Sequence, residues 1–186
     1  IFDMDGLLID SERVIMQAWL DAARDEDIAL DADGYGAVIG RSGADAIAVM
    51  TAVLGGEAAF RAVRARAQAR LAPGAVFPLK HGAPRLLSAL REAGVRCAVA
   101  SSSSAAEIRH RLDAVGVLRH FDAWAGGDEV PRGKPDPAVY RLAAGRLGVP
   151  AERCLAFEDS ENGTLAALAA GARVVVVPDL RVPRDE

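Results

Sequence analysis

The chain opens with Ile1-Phe2-Asp3-Met4-Asp5-Gly6-Leu7-Leu8-Ile9-Asp10-Ser11-Glu12, and this stretch decides how the rest is read. Ile1 to Met4 reads as the end of a buried strand that runs straight into Asp-Gly, a pair that favours a turn. Two acids at the exit of an apolar strand are costly without a partner, so Asp3 and Asp5 are candidate functional residues rather than turn formers. Ser11-Glu12 then begins a helical pattern. Val14, Ile15, Ala18, Trp19 and Ala22 share one face, and Asp10 or Ser11 can cap the first turn.

Further along, a polar, glycine-bearing stretch ends at Gly40-Arg41-Ser42-Gly43. Two more amphipathic patterns follow, one carrying Ile47, Met50 and Leu54, the other Phe60, Val63, Ala67 and Leu71. The arginines of the second pattern, Arg61, Arg64, Arg66 and Arg70, read as solvated helix surface. Pro73-Gly74 and Pro78 close this all-helical block. From Leu79 the rhythm changes to helices around Leu86, Ile108, Val139 and Thr164, alternating with strands at 95–100, 121–125, 154–157 and 174–177. Continuous apolar strands between helices predict an α/β fold: a doubly wound, Rossmann-like parallel sheet. The predicted domains are a core of residues 1–11 and 79–186 and a helical cap of residues 12–78, inserted after the first strand.

With 51% hydrophobic and 26% charged residues, the composition is that of an ordinary globular domain. The net charge of −4 and the lack of a basic stripe exclude nucleic acid as the expected partner. Cys97 and Cys154 sit in apolar runs without CxxC spacing and read as buried free thiols. His81, His110 and His120 do not cluster. No apolar run is long enough to span a membrane, and no charged leader precedes an apolar segment, so a cytoplasmic location is expected. The chain starts at Ile1 rather than Met, inside an apolar stretch. Nothing in the sequence specifies an oligomeric state.

In open parallel sheets, ligands bind beyond the carboxyl ends of the strands. The predicted strand ends carry Asp3-Met4-Asp5, Ser101-Ser102, Gly133-Lys134-Pro135 (after the short strand) and Glu158-Asp159-Ser160. If the strands are neighbours, three or four carboxylates meet one ammonium group. Each carboxylate pair repels by about 1 kcal/mol in water and about 4 kcal/mol at a protein-like dielectric. Lys134 alone cannot balance Asp3, Asp5, Glu158 and Asp159. A hard divalent cation can, and Mg²⁺ takes such oxygen ligands together with substrate phosphate. The sequence therefore points to Mg²⁺ and to phosphoryl chemistry.

Four segments carry a specific resemblance: Asp3-Met4-Asp5-Gly6-Leu7 with Asp10-Ser11-Glu12, Val99-Ala100-Ser101-Ser102, Gly133-Lys134-Pro135-Asp136-Pro137, and Glu158-Asp159-Ser160 with Gly163. In that order they resemble the haloacid dehalogenase superfamily of phosphohydrolases, in the branch similar to β-phosphoglucomutase and sugar-phosphate phosphatases. The resemblance implies that Asp3 attacks phosphorus and becomes an aspartyl phosphate, while Asp5 protonates the leaving alcohol and later activates water. It implies that Ser101 and Lys134 hold the transferring oxygens, with the main-chain N–H of Ser102 helping to cradle the phosphate. Asp3, the Asp5 carbonyl, Glu158 and Asp159 would hold the Mg²⁺. Arg41, in the glycine-bearing loop, is the candidate substrate contact outside the core. Mutases of this branch carry a histidine where this chain has Ile15, and basic residues where it has Ile39 and Gly43. Those departures favour hydrolysis of a small phosphorylated metabolite, with a sugar phosphate as the leading substrate. A phosphomutase and a non-enzymatic phosphoacceptor are the alternatives.

Overall fold

The computed structural model describes residues 1–39, 43–71 and 76–180. The chain divides into two compact units, one of Ser11–Ala75 and one of Ile1–Asp10 with Val76–Glu186.

The first of these units is helical. Its elements are α1 (Ser11–Asp25), α2 (Ala32–Gly36), α3 (Gly43–Val53) and α4 (Glu57–Arg70). The apolar stripes expected from the spacing meet in one core of Ala22, Ala23, Tyr35, Met50, Leu54, Phe60, Val63 and Ala67, with Trp19 packed against it. Helix α2 was not expected, because its glycines argue against a helix. Asp31 makes it possible by accepting a hydrogen bond from the Gly34 N–H at 2.8 Å. The arginine face of α4 is exposed surface, as expected, and two of its arginines form surface ion pairs. Arg66 pairs with Glu26, and Arg70 reaches Asp25 at 2.5 Å. Such exposed pairs contribute about 0–1 kcal/mol each.

The second unit mixes helices with parallel strands: α5 (Ala83–Glu92), β1 (Ala98–Ala100), α6 (Ala105–Ala114), β2 (Ala123–Ala125), α7 (Ala138–Leu147), β3 (Leu155–Glu158), α8 (Glu161–Ala170) and β4 (Arg173–Val176). β1 pairs with β2, Ala98 opposite Ala123, and β3 pairs with β4, Leu155 opposite Arg173. The opening stretch joins the two pairs. Phe2 bridges to Val99 on one side and Phe157 on the other, with Phe2 N–H donating to Ala98 O (2.8 Å) and Asp3 N–H to Phe157 O (3.0 Å). The expected first strand is thus a short bridge. The reason is that the Met4 carbonyl already accepts from Leu8 and Ile9 in the Asp-Gly turn, which lifts the chain off the ladder. β1 and β2 are likewise shorter at their starts than the apolar runs suggested; Leu118–His120 forms a 3₁₀ turn just before Phe121.

Alternation along these strands sorts the two faces. Ile1, Ala98, Ala100, Ala123, Ala125 and Ala156 join the core that α7 and α8 close with Val139, Tyr140, Ala166 and Ala167. Small residues on both sides let helix and sheet approach closely. One residue out of phase, Phe2 stacks on Phe157 at 4.8 Å and meets Phe121 edge-on at 6.0 Å. Leu87, Ile108 and Leu112 are fully buried, each contributing about 1.5–3 kcal/mol of burial free energy. Cys97 and Cys154 are buried free thiols. Among the described residues no single helix is long and apolar enough to cross a membrane.

Candidate active site

Asp3 stands where the bridging stretch leaves the sheet, and its side chain is almost fully buried. Its Oδ1 accepts a hydrogen bond from Lys134 Nζ at 2.6 Å, and the same ammonium donates to Glu158 Oε1 at 2.6 Å. Glu158 ends β3 with 0% exposure. Its carboxylate also accepts from Tyr140 Oη at 2.5 Å and from Ser160 Oγ at 3.1 Å. Ser160 in turn caps α8 by accepting from the Gly163 N–H at 3.1 Å. Lys134 lies 5.1 Å from the centre of the Tyr140 ring, so an aromatic face and two carboxylates surround the buried cation.

Electrostatics make this a strained set of charges. Burial pushes the Asp3 carboxyl well above the usual carboxylate range, and Glu158 and Asp159 add to the shift while Lys134 opposes it. Burial, then the charge of Glu158, raises Asp159 to about 7. For Lys134, burial favours the neutral amine, but Asp3 and Glu158 outweigh it and the net shift is upward. Burial and the neighbouring Glu158 hold Tyr140 as a neutral donor. One ammonium among these acids leaves negative charge uncompensated. Oxygens of Asp3, Glu158 and Asp159 lie within 4.8 Å of one another, a hard-donor set that fits a divalent cation such as Mg²⁺.

Two glycines make room for these carboxylates. Gly6, at φ +84°, presents bare backbone to Asp159, and Gly163 does so to Glu158. A methyl group at Gly163 would overlap the Glu158 carboxylate, which is held on the far side by Lys134 and Tyr140. Gly163→Ala is therefore expected to destabilise the fold by about 2–4 kcal/mol despite the gain in helix propensity, as read by urea unfolding. A change below 0.5 kcal/mol would show that Glu158 can swing aside freely.

The other predicted residues divide. Ser101 is buried at the end of β1, and its Oγ accepts from the Ser103 N–H at 3.1 Å. Asp5 does not join the buried acids: its Oδ1 pairs with Arg111 Nη1 at 2.8 Å, and its Oδ2 accepts from Ser103 Oγ at 2.9 Å. Ser102 is exposed. Arg41 lies outside the described residues. Tyr140, Arg111 and the hydroxyl of Ser103 were missed in the sequence. Tyr140 is one of several apolar-side residues of a helix, Arg111 one of many surface-pattern arginines, and Ser103 reads as a capping serine. Nearby, Lys80 Nζ joins Asp10 (2.9 Å) and Asp179 (2.5 Å), and the Asp179 charge adds to the upward shift of Asp159.

Comparison with known proteins identifies the family. Residues 1–171 match the family model for haloacid dehalogenase-like hydrolases. Hexitol phosphatase A of Escherichia coli is 32% identical over 95% of this chain and 81% of its own. A haloacid dehalogenase family hydrolase from Deinococcus radiodurans, solved with bound phosphate and sodium, superposes with a TM-score of 0.79 at 31% identity, over 93% of this chain and 77% of that one. CbbY from Rhodobacter sphaeroides, solved in complex with xylulose-(1,5)bisphosphate, gives a TM-score of 0.70 at 32% identity, over 95% and 84%. With the family model matching from the Asp3 turn to the end of α8, the chain belongs to the haloacid dehalogenase-like hydrolases.

Proposed function

We propose that this chain is a Mg²⁺-dependent phosphatase that hydrolyses a small phosphorylated metabolite, with sugar phosphates as the substrate class. The carrying observation is the buried Asp3 carboxylate set against Lys134, Glu158 and Asp159. Asp3 forms a P–O bond in line with the departing ester oxygen, which takes a proton from Asp5 as its own bond to phosphorus breaks. Water then attacks the aspartyl phosphate while Asp5 accepts its proton, releasing inorganic phosphate and restoring Asp3. Lys134 orients Asp3 and offsets charge, and Ser101 donates to the transferring oxygens. Oxygens of Asp3, Glu158 and Asp159, together with the Asp5 carbonyl, would hold Mg²⁺, which supplies charge neutralisation for the phosphoryl group.

Choice of leaving group is assigned to the helical unit, the expected cap, and to Arg41 within it, because the other unit already supplies the phosphate chemistry. The sugar-phosphate assignment draws on the hexitol phosphatase relative and on the ligand bound to CbbY. Ile15, in α1, supports hydrolysis over mutase chemistry, for which the resemblance implies a histidine there. In a panel of small phosphate esters, phosphate release is expected to fall to background in EDTA and to return with added Mg²⁺. Mg²⁺ should also raise the melting temperature, since it binds carboxylates assembled only in the folded chain. Undiminished turnover in EDTA would contradict the proposal.

A further inference from the structure

Arg111 belongs to none of the motifs that identify the family resemblance, yet it makes the charged contact to the second acid of the Asp3-Met4-Asp5 turn. Three contacts fix its side chain. Nη2 is held by Glu107 Oε1 at 3.2 Å, one helical turn earlier on α6. The guanidinium lies 5.2 Å from the centre of the Phe77 ring. Nη1 meets Asp5 Oδ1 at 2.8 Å. Glu107 is itself anchored by the capping box at the start of α6, where the Ser104 N–H donates to Glu107 Oε2 at 3.0 Å. On its other oxygen Asp5 takes the Ser103 hydroxyl, and the Ser103 N–H is tied to Ser101 Oγ. Each oxygen of the Asp5 carboxylate therefore has one donor, and each donor is itself anchored. The side chains of Asp5 and Arg111 are only 25% and 21% exposed, so this is not a loosely solvated surface pair.

Resting on the phosphatase reading above, we propose that Arg111 is the positioning residue for Asp5, holding its carboxyl apart from the Asp3, Glu158 and Asp159 acids and on the line where protons are exchanged. Arg111 transfers no proton and makes no bond to substrate. It narrows the positions open to the group that gives a proton to the leaving alcohol and then takes one from water. Without it, Asp5 would keep one hydroxyl contact and could swing away from its post. Misplacing a reacting group by an ångström costs about 100-fold in rate, within the range that a general acid contributes.

The two halves of that claim separate by leaving group. An alkyl phosphate needs a proton on its departing oxygen, whereas p-nitrophenyl phosphate leaves as a stable phenolate. Arg111→Met is expected to lower kcat/KM for the best alkyl ester by about 10- to 100-fold, carried in kcat, and for p-nitrophenyl phosphate by less than about 3-fold. Arg111→Lys, which keeps the charge, should restore part of the loss. Glu107→Gln, which loosens Arg111 without removing it, should show the same selectivity at smaller size. In an Asp5→Asn background, Arg111→Met should add nothing further. Melting curves of each variant separate these effects from misfolding. Equal loss on both esters, a loss confined to KM, or additivity with Asp5→Asn would overturn the proposal. Asp3→Asn is assayed alongside: turnover surviving in that variant overturns the phosphatase reading itself, while its loss together with an unselective Arg111→Met overturns only the role given to Arg111.

Discussion

Asp3→Asn is expected to lower turnover by about 10⁴-fold or more while leaving the fold intact or more stable. The kinetic part follows from the role of the side chain, because removing a covalent nucleophile leaves only binding and electrostatic contributions. The stability part follows from its surroundings. Burial, with Glu158 and Asp159 close by, pushes the Asp3 carboxyl well above its usual range, which means that ionising it costs the folded chain free energy. Asparagine has the same shape and no charge, and Lys134 keeps Glu158 as a partner. Urea unfolding in EDTA, beside steady-state phosphate release, should therefore show an inactive protein at least as stable as the parent. An inactive and markedly less stable variant would mean that the Asp3–Lys134 pair is a structural tie, and retained activity would remove Asp3 from the chemistry.

Lys134→Met should have the largest effect on stability. Its ammonium is 6% exposed and is the cation bonded to both Asp3 and Glu158. Truncating one partner of a buried ionic set leaves the others uncompensated, at about 3–5 kcal/mol. Glu158 would keep Tyr140 and Ser160, but Asp3 would lose the hydrogen bond given by Lys134. Because the Lys134 pKa is raised in the fold, its contribution is fully present below the ordinary lysine value of 10.5 and is lost as pH rises through the higher folded value. At neutral pH, urea unfolding in EDTA should show the whole loss, and Mg²⁺ should recover part of it by supplying a replacement cation. A loss under 1 kcal/mol at neutral pH would mean that the contacts of Lys134 with Asp3 and Glu158 do not hold the metal-free fold together.

The parts of this fold that could be read in the sequence are those where a local pattern and a chemical cost coincide. Asp3 and Asp5 stand out because charge at an apolar strand exit needs a reason, and Glu158-Asp159-Ser160 stands out for the same reason after β3. Helices α1, α3 and α4 are legible from apolar spacing. What the sequence hides is the side-chain partner chosen across long separations. Arg111 reaches Asp5 over a separation of 106 residues, and no local feature distinguishes it from the other arginines. Tyr140 reads as one more core residue of α7, although its hydroxyl reaches the Glu158 carboxylate. The opening strand was read too long because the Met4 carbonyl is taken by the turn rather than by a neighbouring strand. The Asp5 carboxyl was expected beside the leaving oxygen; that Ser103 and Arg111 are the side chains that hold it is something spacing alone cannot reveal.

The most direct test of the central claim is to quench the enzyme in acid during turnover of a ³²P-labelled phosphate ester and map the bound label. Label on the peptide carrying Asp3, formed and lost at rates that match turnover and absent from Asp3→Asn, is the predicted result. Multiple turnovers of phosphate release without label on Asp3, or label carried by another residue, would contradict it.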